Sequence, residues 1–425
     1  MTDATTRTQR AAIDLSQRDL TLDLARVFCV LLVVVIHLLM VGVRTEGGLA
    51  LERPLEAQPW FPLATWVGQI MPLFFVVGGF ASMTAWRSLQ RRGGDGADYV
   101  KTRVLRLAQP AFPLFVFYVV VIGTGVLVVQ STGLLGADVL DGVFIGAGSP
   151  LWFLAAYGIC QALVPFLARL HARAPKRTVL VLLAGVVAVD AIHALPGMYW
   201  FGLLNLLFVW PLVQQFGFWY ADGFFDRRPW WQLVLISVAG VAVLWPLTAS
   251  GFYDVNMLVN LNPPTLPLVV LGLSQAAFLR LLKTPLTALM RTGPAKAVVF
   301  LVGTRLMTIY LWHLPVIIAF AGIALLIPGA SPEPATPAWW WSRALVLVLV
   351  LGALFALSLV VGRWEQPREL GPTPPRPVVA VAVLLTVAVP VLLIPLGLDL
   401  VLAIAGAFTF GIAILLLGRW PARRA

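Results

Sequence analysis

The first long apolar run of the sequence contains two ionisable residues whose types and spacing suit acid–base chemistry. Arg26 and His37 are eleven residues apart in a stretch that is otherwise almost wholly apolar. That spacing corresponds to three helical turns and a rise of about 16 Å, so both side chains lie on nearly one face. We therefore expect His37 inside the membrane and Arg26 near its cytoplasmic mouth. An imidazole can act there as a general base, and a guanidinium can stabilise negative charge.

Asp23 precedes Arg26 by three residues, a spacing at which two side chains can pair on a helix. Such a pair can also be a simple interfacial anchor, and His37 can be a packing histidine bonded to a neighbouring helix. Because an ionisable group inside a membrane span is costly, we favour a functional role for His37.

Three further segments contain candidate site residues. Arg103 and Arg106 share a helical face in a basic loop before the third apolar run, where they can clamp phosphates or simply supply cytoplasmic charge. Tyr310 and His313 share a face in the ninth run and can bond to a neighbouring helix. Trp152 opens the fourth run, a position where Trp often marks the membrane interface.

Other polar or small residues of the apolar runs receive a structural interpretation. Gly78 and Gly79 in the second run permit close approach of another helix or of a ligand. Asp190 and His193 share a face near the outer end of the fifth run and are interpreted as structural. His171 is placed in a basic loop.

The composition is that of a membrane protein. Of the 425 residues, 60% are hydrophobic and only 12% are charged, about half the charge of a soluble domain. The net charge of +11 resides in short basic tracts between apolar runs, which indicates cytoplasmic loops rather than nucleic-acid binding. Two cysteines exclude a disulfide scaffold or a multi-cysteine metal site. We expect no metal and no bound cofactor.

The apolar runs predict an all-α fold, a polytopic transmembrane helical bundle of about 10–12 spans. Basic loops alternate with acidic or polar ones, so both termini are predicted to be cytoplasmic. No cleavable signal peptide is expected before the first span. The runs lie at about 24–43, 62–86, 111–130, 150–168, 178–195, 199–220, 230–249, 264–282, 305–327, 342–362, 378–397 and 400–417.

Taken in order, the motifs resemble the acyltransferase-3 family of integral-membrane O-acyltransferases. The hallmark of that family is an Arg and a His separated by ten residues in the first span, which Arg26 and His37 match. Further similar elements are Leu22-Asp23 before Arg26, Phe74-Phe75 with Gly79-Phe80, Arg103-x-x-Arg106 before Pro110, Leu151-Trp152, and Tyr310-Leu-Trp-His313. Two positions depart from the family pattern: Gly78 replaces a Ser, and Tyr157 or a neighbour replaces an acidic residue.

The resemblance covers about residues 18–365 and divides the chain into four parts. Residues 1–22 are a cytoplasmic tail, and 23–365 are the acyltransferase-3-like transmembrane domain. Residues 366–377 are a Pro-rich linker, and 378–425 are a C-terminal transmembrane hairpin with a basic tail.

The resemblance also implies a reaction. The donor substrate is acyl-CoA, expected to be acetyl-CoA, whose phosphates Arg103 and Arg106 hold, with Trp152 in the same donor site. His37 acts as a general base or acyl relay and Arg26 assists it. The supporting residues are Asp23, Tyr310 and His313. The acceptor is a hydroxyl of a carbohydrate or small secreted molecule, and the protein is a multi-pass protein of the plasma membrane.

Two alternative functions remain open at this level. A secondary transporter also uses about twelve spans, but it predicts an internal repeat, and the first span has no counterpart near the seventh. A non-catalytic polytopic membrane protein with structural histidines is the other alternative.

Overall fold

The computed structural model describes residues 19–132, 137–365 and 371–418, and most of these residues are helical. Within them, ten helical segments are long and apolar enough to cross a membrane, or eleven if a pair bent by 58° counts as one span. The predicted all-α polytopic bundle is therefore confirmed, whereas the side on which the termini lie stays a prediction. The basic tail (Arg419, Arg423 and Arg424), most of the N-terminal tail and part of the Pro-rich linker lie outside the described residues.

The first half of the chain contains eight helices and one short hairpin among the described residues. These elements are α1 (Leu20–Met40), β1 (Gly42–Arg44), β2 (Ala50–Glu52), α2 (Phe61–Gly68), α3 (Met71–Arg91), α4 (Gly96–Thr132), α5 (Ala137–Gly148), α6 (Trp152–Arg173), α7 (Pro175–His193) and α8 (Val209–Ala221). The strands β1 and β2 pair antiparallel, with Val43 opposite Leu51. Short 3-10 helices, Ser149–Leu151 and Tyr199–Leu207, precede α6 and α8.

The regular elements of the second half are all helices within its described residues. Its elements are α9 (Trp230–Ala249), α10 (Leu266–Leu281), α11 (Lys283–Leu289), α12 (Gly293–Gly303), α13 (Leu306–Leu325), α14 (Pro337–Val361), the 3-10 helix Gly362–Trp364, α15 (Arg376–Leu396) and α16 (Leu400–Gly418).

Two segments that the sequence analysis predicted to be loops are helical. The segment containing Arg103 and Arg106 belongs to α4, which begins at Gly96 instead of near residue 111. His171 belongs to α6, which continues to Arg173. In both cases a basic segment continues an apolar helix into the polar region, because Arg side chains do not interrupt a helix and are good helix formers.

Helices α3 and α8 approach so closely that only glycine fits at two positions. A Cβ atom at Gly79 would collide with the backbone oxygen of Gln214, and one at Gly217 would collide with that of Val76. At Gly78, by contrast, no atom lies within 4 Å of the corresponding point. Gly79 therefore serves helix packing, as small residues do at membrane helix interfaces, whereas Gly78 borders open space.

Glu365, just beyond α14, caps the start of α13. Its carboxylate accepts hydrogen bonds from the N–H groups of Met307 and Thr308 at 2.9 and 3.0 Å, and from the Thr308 hydroxyl at 2.7 Å. A carboxylate at this point satisfies N–H groups that have no partner within the helix and complements the helix dipole. This contact holds α13, which contains His313, against the end of α14.

The C-terminal hairpin of α15 and α16 packs against α4 and α6. The buried Lys101 of α4 donates hydrogen bonds to the carbonyl oxygens of Gly371 and Pro372 at 2.5 and 2.9 Å. The hydroxyl of Thr373 donates to Asp98 at 2.5 Å. The segment that leads into the hairpin is thus bound to the first turns of α4.

The glycine contact between α3 and α8 yields a stability prediction. Gly79→Ala should lower the free energy of unfolding by about 1–3 kcal/mol, because the added methyl group has no room between the helices. Gly78→Ala is the matched control and should stay within about 0.5 kcal/mol of the wild type. Thermal unfolding of both variants in the same detergent measures the difference. Equal midpoints for the two variants would contradict the close packing.

Candidate active site

His37 and His313 meet where α1 and α13 pack together. His37 lies in the last turn of α1, and His313 lies in α13. Their ring centroids are 4.9 Å apart, and Nε2 of His313 lies 3.2 Å from Nδ1 of His37. His313 is fully buried and His37 partly buried. Two candidate residues that are 276 positions apart in the sequence thus form a single site.

Each imidazole ring is also bonded to its own helix. Nδ1 of His37 lies 2.9 Å from the carbonyl oxygen of Val33, and Nδ1 of His313 lies 2.5 Å from that of Tyr310. Within the described part of the chain, Nε2 of His37 forms no hydrogen bond, and it is not among the fully buried polar atoms. Nε2 of His37 is therefore the nitrogen of the pair that is left open to a substrate.

Tyr310 connects α13 to the break between α5 and α6. Its hydroxyl donates a hydrogen bond to the carbonyl oxygen of Pro150 at 3.0 Å, and its ring lies 4.6 Å from that of Phe153. The Tyr310 and His313 rings are 5.7 Å apart, so the two side chains do share a face. Tyr310 contacts His313 through its ring and its carbonyl oxygen, while its hydroxyl bonds to Pro150.

Trp152 lies inside the bundle rather than at a lipid interface. It is 6% exposed and stacks on Trp210, with centroids 5.4 Å apart. Trp210 stacks in turn on Phe75 at 4.4 Å. These rings form an apolar wall next to Phe153. Contact of Trp152 with a donor stays a prediction.

Arg26, Arg103 and Arg106 form a second part of the site, here called the arginine group. Arg106 is exposed and lies within electrostatic range of both other arginines. The guanidinium of Arg103 lies 5.0 Å from the ring centre of Tyr99. Among the described residues, Nε of Arg26 is buried without a hydrogen-bond partner. Helices α1 and α4 together thus concentrate three positive charges in one region.

No carboxylate neutralises Arg103 or Arg106 within the described ranges, since the ion pairs there involve other basic residues. Like charges repel one another, and an anion bound between them offsets this repulsion. Guanidinium groups bind phosphate oxygens through paired hydrogen bonds. The arginine group therefore suits a polyanionic ligand. The pairing of Asp23 with Arg26 stays a prediction.

A hydrogen-bonded network that the sequence interpretation missed fixes the ring next to Arg103. The hydroxyl of Tyr99 donates to Oε1 of Gln161 at 3.0 Å, and Nε2 of Gln161 donates to the hydroxyl of Ser82 at 3.0 Å. These residues join α3, α4 and α6, and all three are buried. One signal for Tyr99 was present, because it precedes Arg103 by four residues and so shares its helical face.

The placement of His171 in a basic loop is wrong, because the residue is buried in α6. Its Nδ1 lies 2.8 Å from Oε1 of Gln215, and its Nε2 lies 2.9 Å from Asp222, which also pairs with Arg87 at 2.5 Å. Burial raises the pKa of Asp222, but hydrogen bonds from Arg87 and His171 outweigh this effect and lower it below the usual value. This network holds α3, α6 and α8 together.

Asp190 and His193 border a cleft of about 220 Å³ at the end of α7. Asp190 accepts hydrogen bonds from Asn205 at 2.7 Å, from the Tyr253 hydroxyl at 2.8 Å and from the N–H of Leu266 at 3.0 Å. A carboxylate with three donors from three segments fixes these segments relative to one another. The geometry agrees with the structural interpretation of this acid.

The candidate site therefore has two parts, and α1 contributes one residue to each of them. The histidine pair offers an open nitrogen, and the arginine group includes two guanidinium groups, those of Arg103 and Arg106, that form no ion pair among the described residues. Along α1, Arg26 and His37 are separated by about 16 Å. In the described ranges, no three His, Cys, Asp or Glu side chains converge as metal ligands. An open imidazole nitrogen and a distant cluster of guanidinium groups suit group transfer from a long, anionic donor.

Comparison with known proteins identifies the family. A family model described as "Acyltransferase domain" (Acyl_transf_3) matches residues 19–363, about four fifths of the chain. No curated protein and no solved structure matches the chain. The matched region contains the histidine pair and the arginine group and ends before α15. The chain belongs to the acyltransferase-3 family and is a multi-pass membrane acyltransferase.

Proposed function

We propose that this acyltransferase moves an acyl group, expected to be acetyl, from acyl-CoA to a hydroxyl of a carbohydrate or small secreted acceptor. The observation that carries the proposal is the open Nε2 atom of His37, held beside His313 on the helix that also contains Arg26. A general base must lie within reach of the proton that it removes, and this nitrogen is the one available to a substrate.

The arginine group sets the orientation of the donor. Acyl-CoA has phosphates at its nucleotide end and the thioester at the end of a long, thin arm. Arg103 and Arg106 hold the phosphates, and Arg26, whose Nε lacks a partner among the described residues, adds a further donor. Because Arg26 lies about 16 Å from His37 along α1, we assign it to donor binding rather than to charge stabilisation at the thioester.

The reaction then proceeds at Nε2 of His37. This nitrogen accepts the proton of the acceptor hydroxyl while the oxygen attacks the thioester carbon. The carbon–sulfur bond breaks, the sulfur leaves as a thiolate, and the proton on Nε2 passes to that sulfur. The products are an ester of the acceptor and free coenzyme A.

An acyl-histidine relay uses the same atom. In that route Nε2 itself attacks the thioester carbon and the sulfur leaves as a thiolate. The acceptor oxygen then takes the acyl group from the ring, and the proton of the acceptor hydroxyl passes to the thiolate. The relay predicts labelled acyl-enzyme in the absence of acceptor, whereas direct transfer does not.

We place the enzyme in the plasma membrane with the acceptor on the outer side. His37 lies in the last turn of α1, directly before the segment that contains β1 and β2. The distribution of basic loops predicts that this segment is external. An extracytoplasmic hydroxyl would then approach His37 from the side opposite to the arginine group.

His37→Gln should reduce acyl transfer by about a hundred- to ten-thousandfold, because the variant lacks the basic nitrogen. The measurement is transfer of label from acetyl-CoA to cell material in membranes that contain equal amounts of each protein. His193→Gln, at the cleft near the end of α7, is the matched control and should retain activity. Acyl transfer at the wild-type rate by His37→Gln would exclude the proposed role of His37.

Replacing Arg103 and Arg106 together with Ala should raise the apparent KM for acetyl-CoA at least tenfold, since each charge-assisted hydrogen bond contributes about 1.5–3 kcal/mol. The double variant Arg91→Ala with Arg92→Ala is the control, because it removes the same charge from an exposed position nearby. The measurement is the initial rate against acetyl-CoA concentration. An equal KM in both double variants would exclude the arginine group as the phosphate site.

Loss of the protein should remove an acyl group from one class of acceptor. Mass spectra of envelope glycans and secreted metabolites, compared between cells with active protein and cells with the His37→Gln variant, should differ by the mass of that group. Identical spectra in both fractions would contradict a carbohydrate or small-molecule acceptor.

A further inference from the structure

The contacts of the two histidines determine where their protons lie. Nδ1 of His37 is 2.9 Å from the carbonyl oxygen of Val33, and Nδ1 of His313 is 2.5 Å from that of Tyr310. A carbonyl oxygen only accepts hydrogen bonds, so a nitrogen at this distance must donate. Both rings therefore have their proton on Nδ1 when neutral.

The contact between the rings agrees with this assignment. With its proton on Nδ1, His313 presents the lone pair of Nε2 to Nδ1 of His37, 3.2 Å away. The N–H of His37 is then shared between Val33 and His313, as in a three-centre hydrogen bond. The opposite tautomers would place lone pairs against lone pairs at both carbonyl contacts.

We propose that His313 is a positioning residue that holds His37 as its Nδ1–H tautomer and thereby makes Nε2 of His37 the basic atom. This inference rests on the proposed function of His37 as the base. It assigns His313 to the orientation of His37, whereas the sequence resemblance implied only a supporting role. A third group that orients a catalytic histidine through its other nitrogen is a recurring arrangement in enzymes.

The surroundings of His313 suit that task. Its side chain is fully buried, and α13 is fixed at its start by the Glu365 cap. The hydroxyl of Tyr310, one turn earlier, is bonded to Pro150. A ring held in this way cannot rotate to follow His37, so His37 must adopt the orientation that His313 accepts.

During the reaction, the same contact supports the charged state of His37. When Nε2 takes the proton from the acceptor hydroxyl, the positive charge spreads over the ring and strengthens the hydrogen bond from Nδ1–H to the neutral Nε2 of His313. The proton on Nε2 of His37 then passes to the departing sulfur. His313 gains and loses no proton in this cycle.

Two variants of His313 separate positioning from packing. His313→Leu fills the space but lacks an acceptor, so turnover at saturating acetyl-CoA should fall about ten- to a hundredfold, as when a supporting hydrogen-bond partner is lost. The KM for acetyl-CoA should stay unchanged. His313→Gln presents an amide oxygen that can accept from Nδ1–H and should recover most of the turnover.

Nitrogen NMR of the ¹⁵N-histidine-labelled full-length protein in lipid bilayers tests the tautomer without reference to activity. The chain has four histidines, so His→Gln variants assign each ring. In the wild type, His37 should show a protonated Nδ1 and an unprotonated Nε2. The share of the Nδ1–H tautomer should fall in His313→Leu, where only the carbonyl oxygen of Val33 still accepts from Nδ1.

These experiments distinguish failure of the positioning role of His313 from failure of the proposed function. A protonated Nε2 on neutral His37, or full turnover by His313→Leu, overturns the positioning role. Full activity of His37→Gln overturns the proposed function instead, and the NMR spectrum of the wild type still decides the tautomer. Poor folding of His313→Leu leaves that spectrum as the deciding measurement.

Discussion

The contact between His37 and His313 depends on a constraint that governs the whole bundle: a polar group inside the hydrocarbon must find its partner within the protein. Two imidazole rings from helices far apart in the sequence contact one another, and each also bonds to a backbone carbonyl oxygen of its own helix. This contact requires α1 and α13 to pack so that His37 and His313 lie at the same level and face each other. Glu365 at the start of α13 and the bond from Tyr310 to Pro150 fix that helix from two directions. One nitrogen, Nε2 of His37, is left for substrate.

The same constraint explains why the arginine group lies apart from the histidine pair. Three charged arginines in the middle of a bilayer would be energetically unfavourable. In this chain the arginine group lies toward the N-terminal part of α1, next to the first turns of α4. Under the proposed function, the base and the anion site are therefore joined by a helix rather than by direct contact, and only a long donor can occupy both. Beyond the family match, the C-terminal hairpin binds α4 through Lys101 and Asp98. This anchorage holds the helix that carries Arg103 and Arg106.

Much of this architecture could be read from the sequence, because each span is a long apolar run and each buried ionisable residue interrupts it visibly. The positions of the spans, and the choice of Arg26, His37 and His313 as candidates, follow from such local signals. The contact of His37 with His313 does not, because it is set by how helices pack over a separation of 276 residues. His171 was misplaced for a related reason: hydropathy marks where an apolar run stops, whereas the helix continues until its backbone bonding ends.

The neutral partner of His37 is itself a consequence of the apolar surroundings. Soluble enzymes commonly orient a catalytic histidine with a carboxylate, which stabilises the imidazolium form strongly. A carboxylate in the place of the fully buried His313 would add a charge that must be desolvated in the resting state, at a cost of several kcal/mol. An imidazole provides the same acceptor without a resting charge. In the proposed mechanism, the chain thus gives up some stabilisation of the protonated base for a site that stays neutral until substrate arrives.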